Sequence, residues 1–243
     1  MAGYTALPIT YNGMIRSGTE LYFMTALVED QDHRISYLLR RRGDDEITST
    51  ADLRGRSVGI LPTVAYRAWL EALLAEAGVD PAEVTIQQIA PAMQLQALRA
   101  GGVDALFTND PAATSAIVQG IAEPVHDYVE VPRTLGEPFL FGSFNVRKDW
   151  ADAHPDEATR LAAALDEAVD FVNEHPDEAK RLMRSFLPDA FRDHVARYPD
   201  ARYLRTDQVE ELAFVRAADQ CRQRGIIPAA LSLSGLVYRA AER

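Results

Sequence analysis

The stretch from Asp52 to Pro111 constrains this 243-residue chain more than any other. It reads DLRGRSVGILPTVAYRAWLEALLAEAGVDPAEVTIQQIAPAMQLQALRAGGVDALFTNDP. Ser57–Leu61 is a short apolar run built on Val58 and Ile60, which predicts a buried strand. Pro62 breaks it, and Thr63 is placed to cap a helix running to Ala77. Ala65, Trp69, Ala72, Leu73 and Ala77 share one face of that helix, and Gly78 falls where a left-handed terminal residue belongs. A second strand is expected over Val84–Ile89, after the Asp80-Pro81 turn, and a second helix over Ala92–Ala100, stopped by Gly101-Gly102. A third strand, Val103–Phe107, ends at Thr108-Asn109-Asp110-Pro111, with Asp110 as cap and Pro111 opening a further helix. Strand and helix alternate throughout, the pattern of a parallel sheet flanked by helices.

Strand-to-helix turns of such a sheet share one edge, and ligands bind there. The turns at Leu61–Val64 and Thr108–Pro111 are therefore the candidate site. Each offers unpaired amide N–H groups at a helix start, suited to an anionic or strongly polar ligand atom. Capping alone also accounts for Thr63 and Asp110, and the two roles are compatible. Tyr66, one turn into the helix, faces either the core or a cleft, and the sequence does not choose.

The net charge of −11 argues against nucleic acid or an anionic membrane surface as partner. The basic run Arg40-Arg41-Arg42 is followed at once by Asp44, Asp45 and Glu46, which reads as a solvated strand end. Cys221 is the one cysteine, so no intrachain disulfide forms, and its expected place is a buried helix face. No stretch approaches the roughly 18 apolar residues of a membrane span. The first residues are not those of a secretion signal.

Elsewhere, Tyr4–Ile9 reads as the end of a strand and a turn, and Leu21–Val28 and Ile35–Arg40 as strands. Pro111–Gly120 is expected helical, Asp127–Val131 and Phe139–Arg147 extended. The repeated His-Pro-Asp-Glu-Ala at 154–158 and 175–179 places proline and acids in two helix first turns. The first of these helices carries Leu161, Leu165, Ala168, Val169 and Val172 at helical spacing. Leu187–Tyr203 is irregular with one short helix near Phe191–Ala196, Thr206–Arg224 is a long amphipathic helix, and Leu231–Val237 is a tail of no assigned structure. Searches for a nucleophile elbow, a phosphate-binding loop or a dinucleotide-binding glycine pattern find none. His33, His126, His154, His175 and His194 show no metal-type pairing, and neither cofactor nor metal is expected.

Four segments in order resemble the solute-binding proteins of ABC importers, in the branch handling nitrate, sulfonates, taurine and thiamine pyrimidine precursors. They are Ala51-Asp52-Leu53-Arg54-Gly55-Arg56-Ser57-Val58-Gly59, Leu98-Arg99-Ala100-Gly101-Gly102-Val103-Asp104-Ala105, Thr108-Asn109-Asp110-Pro111, and Phe144-Asn145-Val146-Arg147-Lys148-Asp149-Trp150 with His154-Pro155-Asp156. The resemblance spans about residues 3–225. It implies an α/β, two-lobed type II periplasmic-binding-protein fold with hinge strands at Ile35–Arg40 and Phe144–Arg147. Lobe one would combine 1–44 with 145–243, and lobe two would be 45–144. By the same resemblance Tyr4 and Thr5 line the interlobe cleft from lobe one. Pro62, Thr63, Val64, Asn109 and Asp110 do so from lobe two, joined by Tyr66 if its ring faces the cleft rather than the core.

The implied function is capture of a small polar organic ligand and delivery to an ABC permease. The place would be periplasmic, or extracytoplasmic with a lipid anchor, although this chain shows no signal peptide. The alternative is an enzyme on the same fold, of desulfinase or pyrimidine-precursor-synthase type. That chemistry needs a reactive cysteine or histidine in the cleft, and Cys221 falls far along the chain from both turns. Asp110 opposes a simple anion, which points towards an amine- or ring-containing ligand. Family members also place a strand, a helix and a further strand before the position of Gly3-Tyr4-Thr5. The first lobe is therefore expected to be incomplete at its N-terminus, with exposed apolar surface and weakened affinity.

Overall fold

The strand–helix alternation expected from Asp52 onward is present in the computed structural model, which describes residues 2–240. The chain divides into two units. Unit 1 comprises Met1–Glu29, Leu140–Pro176 and Ala201–Arg243; unit 2 comprises Asp30–Phe139 and Asp177–Asp200. Residues 30–44 and 177–200 thus group with unit 2, and 140–144 with unit 1. The outer ends of the expected first lobe, residue 1 and residues 241–243, lie outside the described residues.

Unit 1 begins with β1 (Ala2–Ala6), helix α1 (Leu7–Ser17) and β2 (Leu21–Glu29). Helix α1 corrects the expected turn at Tyr4–Ile9. Pro8 sits in the first helical turn, where its missing N–H costs nothing. Leu7, Tyr11 and Met14 recur on one buried face, and Gly18 closes the helix at φ 66°. That burial outweighs the poor propensity of Gly13.

Unit 2 follows with β3 (Ser36–Arg41), a 3-10 turn at Thr50–Leu53, β4 (Ser57–Ile60), α2 (Val64–Glu76), β5 (Thr85–Gln88), α3 (Pro91–Arg99), β6 (Ala105–Asn109), α4 (Ala112–Val118), β7 (Ala122–Pro124) and α5 (Glu130–Leu135). Its sheet has the order β5-β4-β6-β3-β7. Strand β4 is parallel to both β5 and β6, while β3 is antiparallel to β6 and β7. The segment implied as the outgoing hinge is thus β3, held on both sides within this sheet. The apolar run at Asp127–Val131 is not a strand; Glu130 and Val131 open α5. Short apolar runs are ambiguous between the two states, and Pro132 in the first turn is compatible with the helix. Tyr37, Leu39, Leu98, Val103, Leu106 and Ala113 form one shared core. Trp69, from α2, packs edge-on to Phe139 at 5.5 Å.

Unit 1 resumes with β8 (Phe139–Arg147), α6 (Lys148–Ala153) and α7 (Pro155–Glu174). Ala158, Ala162 and Val169 make the buried face of α7, flanked by Leu161 and Leu165; Ala168 points to solvent. Helix α8 (Pro176–Met183), past its first residue, and the short α9 (Asp189–Arg192) group with unit 2, and unit 1 continues at β9 (Arg202–Leu204), a strand not expected from the irregular 187–203 segment. Helix α10 (Glu211–Gln223) starts later than expected and ends before Gly225 at φ 68°. The unit 1 sheet has the order β1-β8-β2-β9. The tail left without a role is core: Leu233, Leu236 and Val237 pack with Tyr11, Phe23 and Phe214.

Candidate functional site

Because β4 is parallel to β5 and β6, all three strands end at one edge of the unit 2 sheet. Helices α2, α3 and α4 start there. At the first turn Pro62 is exposed and Thr63 half-buried. Thr63 Oγ1 accepts the Tyr66 N–H at 3.2 Å, the expected cap. Val64 is 52% exposed. Tyr66 turns away: it is 4% exposed, and its ring lies 5.2 Å from both Trp69 and Phe107. Of the two roles left open for Tyr66, the core is the one it takes.

At the other turn Asn109 is the last residue of β6 and Asp110 the first beyond it, both half-buried. Asp110 caps α4 from one residue farther out than expected, since the residue next to the helix is Pro111. Its Oδ1 accepts the Thr114 N–H at 2.8 Å, and Tyr37 donates its hydroxyl to Oδ2 at 3.4 Å. Burial pushes the Asp110 carboxyl above its usual range, against the pull of the bonds from Thr114 and Tyr37. The Tyr37 hydroxyl is raised by burial and by the Asp110 charge. Tyr198 is pushed up to about 12, mainly by burial and further by Asp110. A buried pair supports this edge: Thr108 donates to Gln94 Oε1 at 2.6 Å, and Gln94 Nε2 donates to the Ile89 carbonyl at 3.3 Å.

Tyr37, Gln94, Thr114 and Tyr198 were not anticipated. Tyr37 reaches Asp110 only because β3 pairs antiparallel with β6, opposing Tyr37 to Thr108. Gln94 carried a faint signal, a polar residue in the first turn of a helix at the ligand edge.

In unit 1, Tyr4 and Thr5 lie on β1, paired to β8, and both are exposed. A Cβ at Gly142 would overlap the Tyr4 hydroxyl and stand 2.7 Å from the Thr5 carbonyl oxygen, so only glycine admits this approach. Behind Thr5 runs a buried polar chain that the sequence reading missed. Ser143 donates to Asn145 Oδ1 at 2.7 Å, and Asn145 Nδ2 donates to Thr10 Oγ1 at 3.4 Å. Thr10 Oγ1 lies 3.3 Å from the Ala6 carbonyl and 2.5 Å from the Thr5 hydroxyl, and within that hydroxyl pair either oxygen can donate to the other.

Among the described residues, no group of three or more His, Cys, Asp or Glu side chains is arranged to hold a metal ion. His126 Nε2 is engaged with Thr50 Oγ1 at 2.9 Å. Cys221 is buried on α10, and burial pushes its thiol up to about 12. No described helix is long and apolar enough to cross a membrane.

The fold is that of known binding proteins. The periplasmic aliphatic sulphonate binding protein SsuA from Escherichia coli aligns with a TM-score of 0.74 at 16% identity, over 97% of this chain and 79% of that one. The periplasmic nitrate-binding protein NrtA from Synechocystis PCC 6803 aligns with a TM-score of 0.70 at 15% identity, over 97% and 70%. The desulfurization enzyme DszB shares the fold as well, with a TM-score of 0.72 at 16% identity over 97% and 82%. No curated protein matches the sequence. The family model described as NMT1/THI5 like matches residues 18–179, well over half of the chain. With its mixed α/β fold in two units, the chain belongs to the NMT1/THI5-like family.

Proposed function

We propose that this protein is the solute-binding component of an ABC importer, taking up a small polar organic ligand at the strand-end edge of unit 2. One observation carries the reading: β4, β5 and β6 end together, presenting Thr63, Asn109 and Asp110 beside three helix starts. Polar side chains of partial exposure and unpaired first-turn amides at one sheet edge are what a polar ligand requires. Handover to a membrane permease, in the periplasm or another extracytoplasmic space, is part of the same proposal, supported by the likeness in fold to periplasmic binding proteins. An enzyme on this fold is the weaker reading, because Cys221 is packed with Phe214 and Ala218 in a core cluster and held as a thiol.

Calorimetric titration tests the proposal, with candidate ligands drawn from sulfonates, taurine, nitrate and aminopyrimidines. Thr63→Ala and Asn109→Ala are expected to weaken binding at least tenfold while the protein stays folded. Ligand should be recovered unchanged after long incubation. Unaltered affinity in both variants removes the site, and a converted product removes the carrier reading.

A further inference from the structure

We infer that the outer edge of β1 is a docking surface for a second copy of this chain, the two β1 strands pairing antiparallel about a two-fold axis. An edge strand offers a row of backbone N–H and C=O groups to any extended segment, and proteins guard such edges against it. Unit 1 guards its other edge. Tyr203, at the centre of β9, donates its N–H to Asn173 Oδ1 at 3.0 Å, and Asn173 Nδ2 donates to the Tyr203 carbonyl at 2.8 Å. The carboxamide thus stands where a neighbouring strand would. Strand β9 is also only three residues long, with Arg202 inside it and Arg205 just beyond. The edges of unit 2 are short as well: β7 is three residues ending in Pro124, and β5 is four residues between Glu83 and Pro91.

Strand β1 has none of these guards. At five residues it is the longest edge strand among the described residues, it contains neither proline nor a charged side chain, and Ala2–Thr5 are all exposed. Its inner side is firmly held, by pairing with β8 from Ala2 to Ala6 and by the Tyr4 hydroxyl end lying against Gly142. The free edge is therefore an ordered template. Charge selects the occupant. At −11, two copies repel each other over most of their surface. The first charged side chain in the sequence is Arg16, so β1 and the start of α1 form a charge-free stretch. Two copies can meet there without setting like side-chain charges opposite each other. Tyr4, mid-strand and 41% exposed, supplies apolar surface near the axis. Such a pairing consumes the free edge of both copies, so assembly closes at two. The two four-stranded sheets then run on as one, with Asn173 closing β9 at each outer end. A single strand edge buries less than a standard interface, so the dimer is weak and dissociates on dilution.

Sedimentation velocity of the full chain, from low micromolar to submillimolar concentration, tests this. A reversible monomer–dimer equilibrium with no larger species is expected. A Cβ on Gly3 meets nothing within 4 Å, so a charge can be placed there without disturbing the pairing with β8. Gly3→Lys and Gly3→Glu should each weaken dimerisation about tenfold or more, and an equimolar mixture of the two should restore it. In the unaltered chain, amide exchange over Ala2–Ala6 should slow as concentration rises while exchange in β9 stays the same. A chain that remains monomeric throughout overturns the inference. So does a dimer indifferent to both charges, a loss that the mixture does not repair, or a dimer whose formation leaves β1 exchange unchanged. Species that grow beyond two copies overturn the closed two-fold pairing.

Discussion

Thr63 and Asp110 hold the two turns by the same device, a side-chain oxygen on a first-turn amide, yet they differ in electrostatics. Thr63→Ala removes one neutral cap bond and is expected to cost about 1 kcal/mol of stability. Asp110 carries a charge into a partly desolvated place, and burial raises its carboxyl above the 3.8 of a free aspartate. The folded chain therefore holds that proton more tightly than the unfolded chain. The associated stability is complete below the unfolded value and is lost as pH rises through the folded one. Asp110→Asn is neutral throughout and can still accept from Thr114. It should gain on the wild type as pH rises from about 3 to about 7. Urea unfolding of both proteins across that range checks it, and a gap that does not change with pH contradicts the assignment.

At the scale of elements, two glycines set how closely strands approach. In β4 a Cβ on Gly59 would meet Leu106 Cδ2 at 2.7 Å and Ile89 Cδ1 at 2.8 Å. Both are side-chain ends that can swing, so Gly59→Ala should cost about 1–3 kcal/mol, the usual penalty of overpacking. In β8 a Cβ on Gly142 would meet the Thr5 carbonyl oxygen at 2.7 Å as well as the Tyr4 hydroxyl. Backbone cannot swing, so Gly142→Ala should cost more than Gly59→Ala and loosen the β1–β8 ladder selectively. Denaturant midpoints rank the two variants. Hydrogen exchange at the β1 amides shows whether the damage is local, and exchange that rises equally across both units contradicts the local account.

Over the whole molecule the net charge of −11 draws cations and repels anions at long range. For an amine ligand the association rate should fall as salt is added, since screening becomes effective beyond a Debye length of about 8 Å at physiological ionic strength. For an oxyanion it should rise. Stopped-flow binding at low and high salt reads the sign directly. Ligand at about 100 times its dissociation constant should add about 2.7 kcal/mol to the stability of the state that binds it. A ligand that leaves the calorimetric unfolding transition unmoved at that concentration is not bound by the folded chain.

The Asp52–Pro111 stretch determined its own architecture, because its apolar periods, caps and glycine stops all act within a few residues of one another. Strands β4, β5 and β6, the Thr63 cap and the left-handed Gly78 were legible for that reason. Tertiary packing decided the rest. Helix α1 exists because Leu7, Tyr11 and Met14 find partners in Phe23, Phe214 and Leu233, residues distant in the chain. Tyr66 became core because Trp69 and Phe107 flank its ring. Tyr37 came to Asp110 through an antiparallel pairing across 73 positions of sequence. Local sequence carries the energetics of caps and periods; which polar groups meet at a sheet edge depends on strand order, and strand order is a property of the assembled sheet.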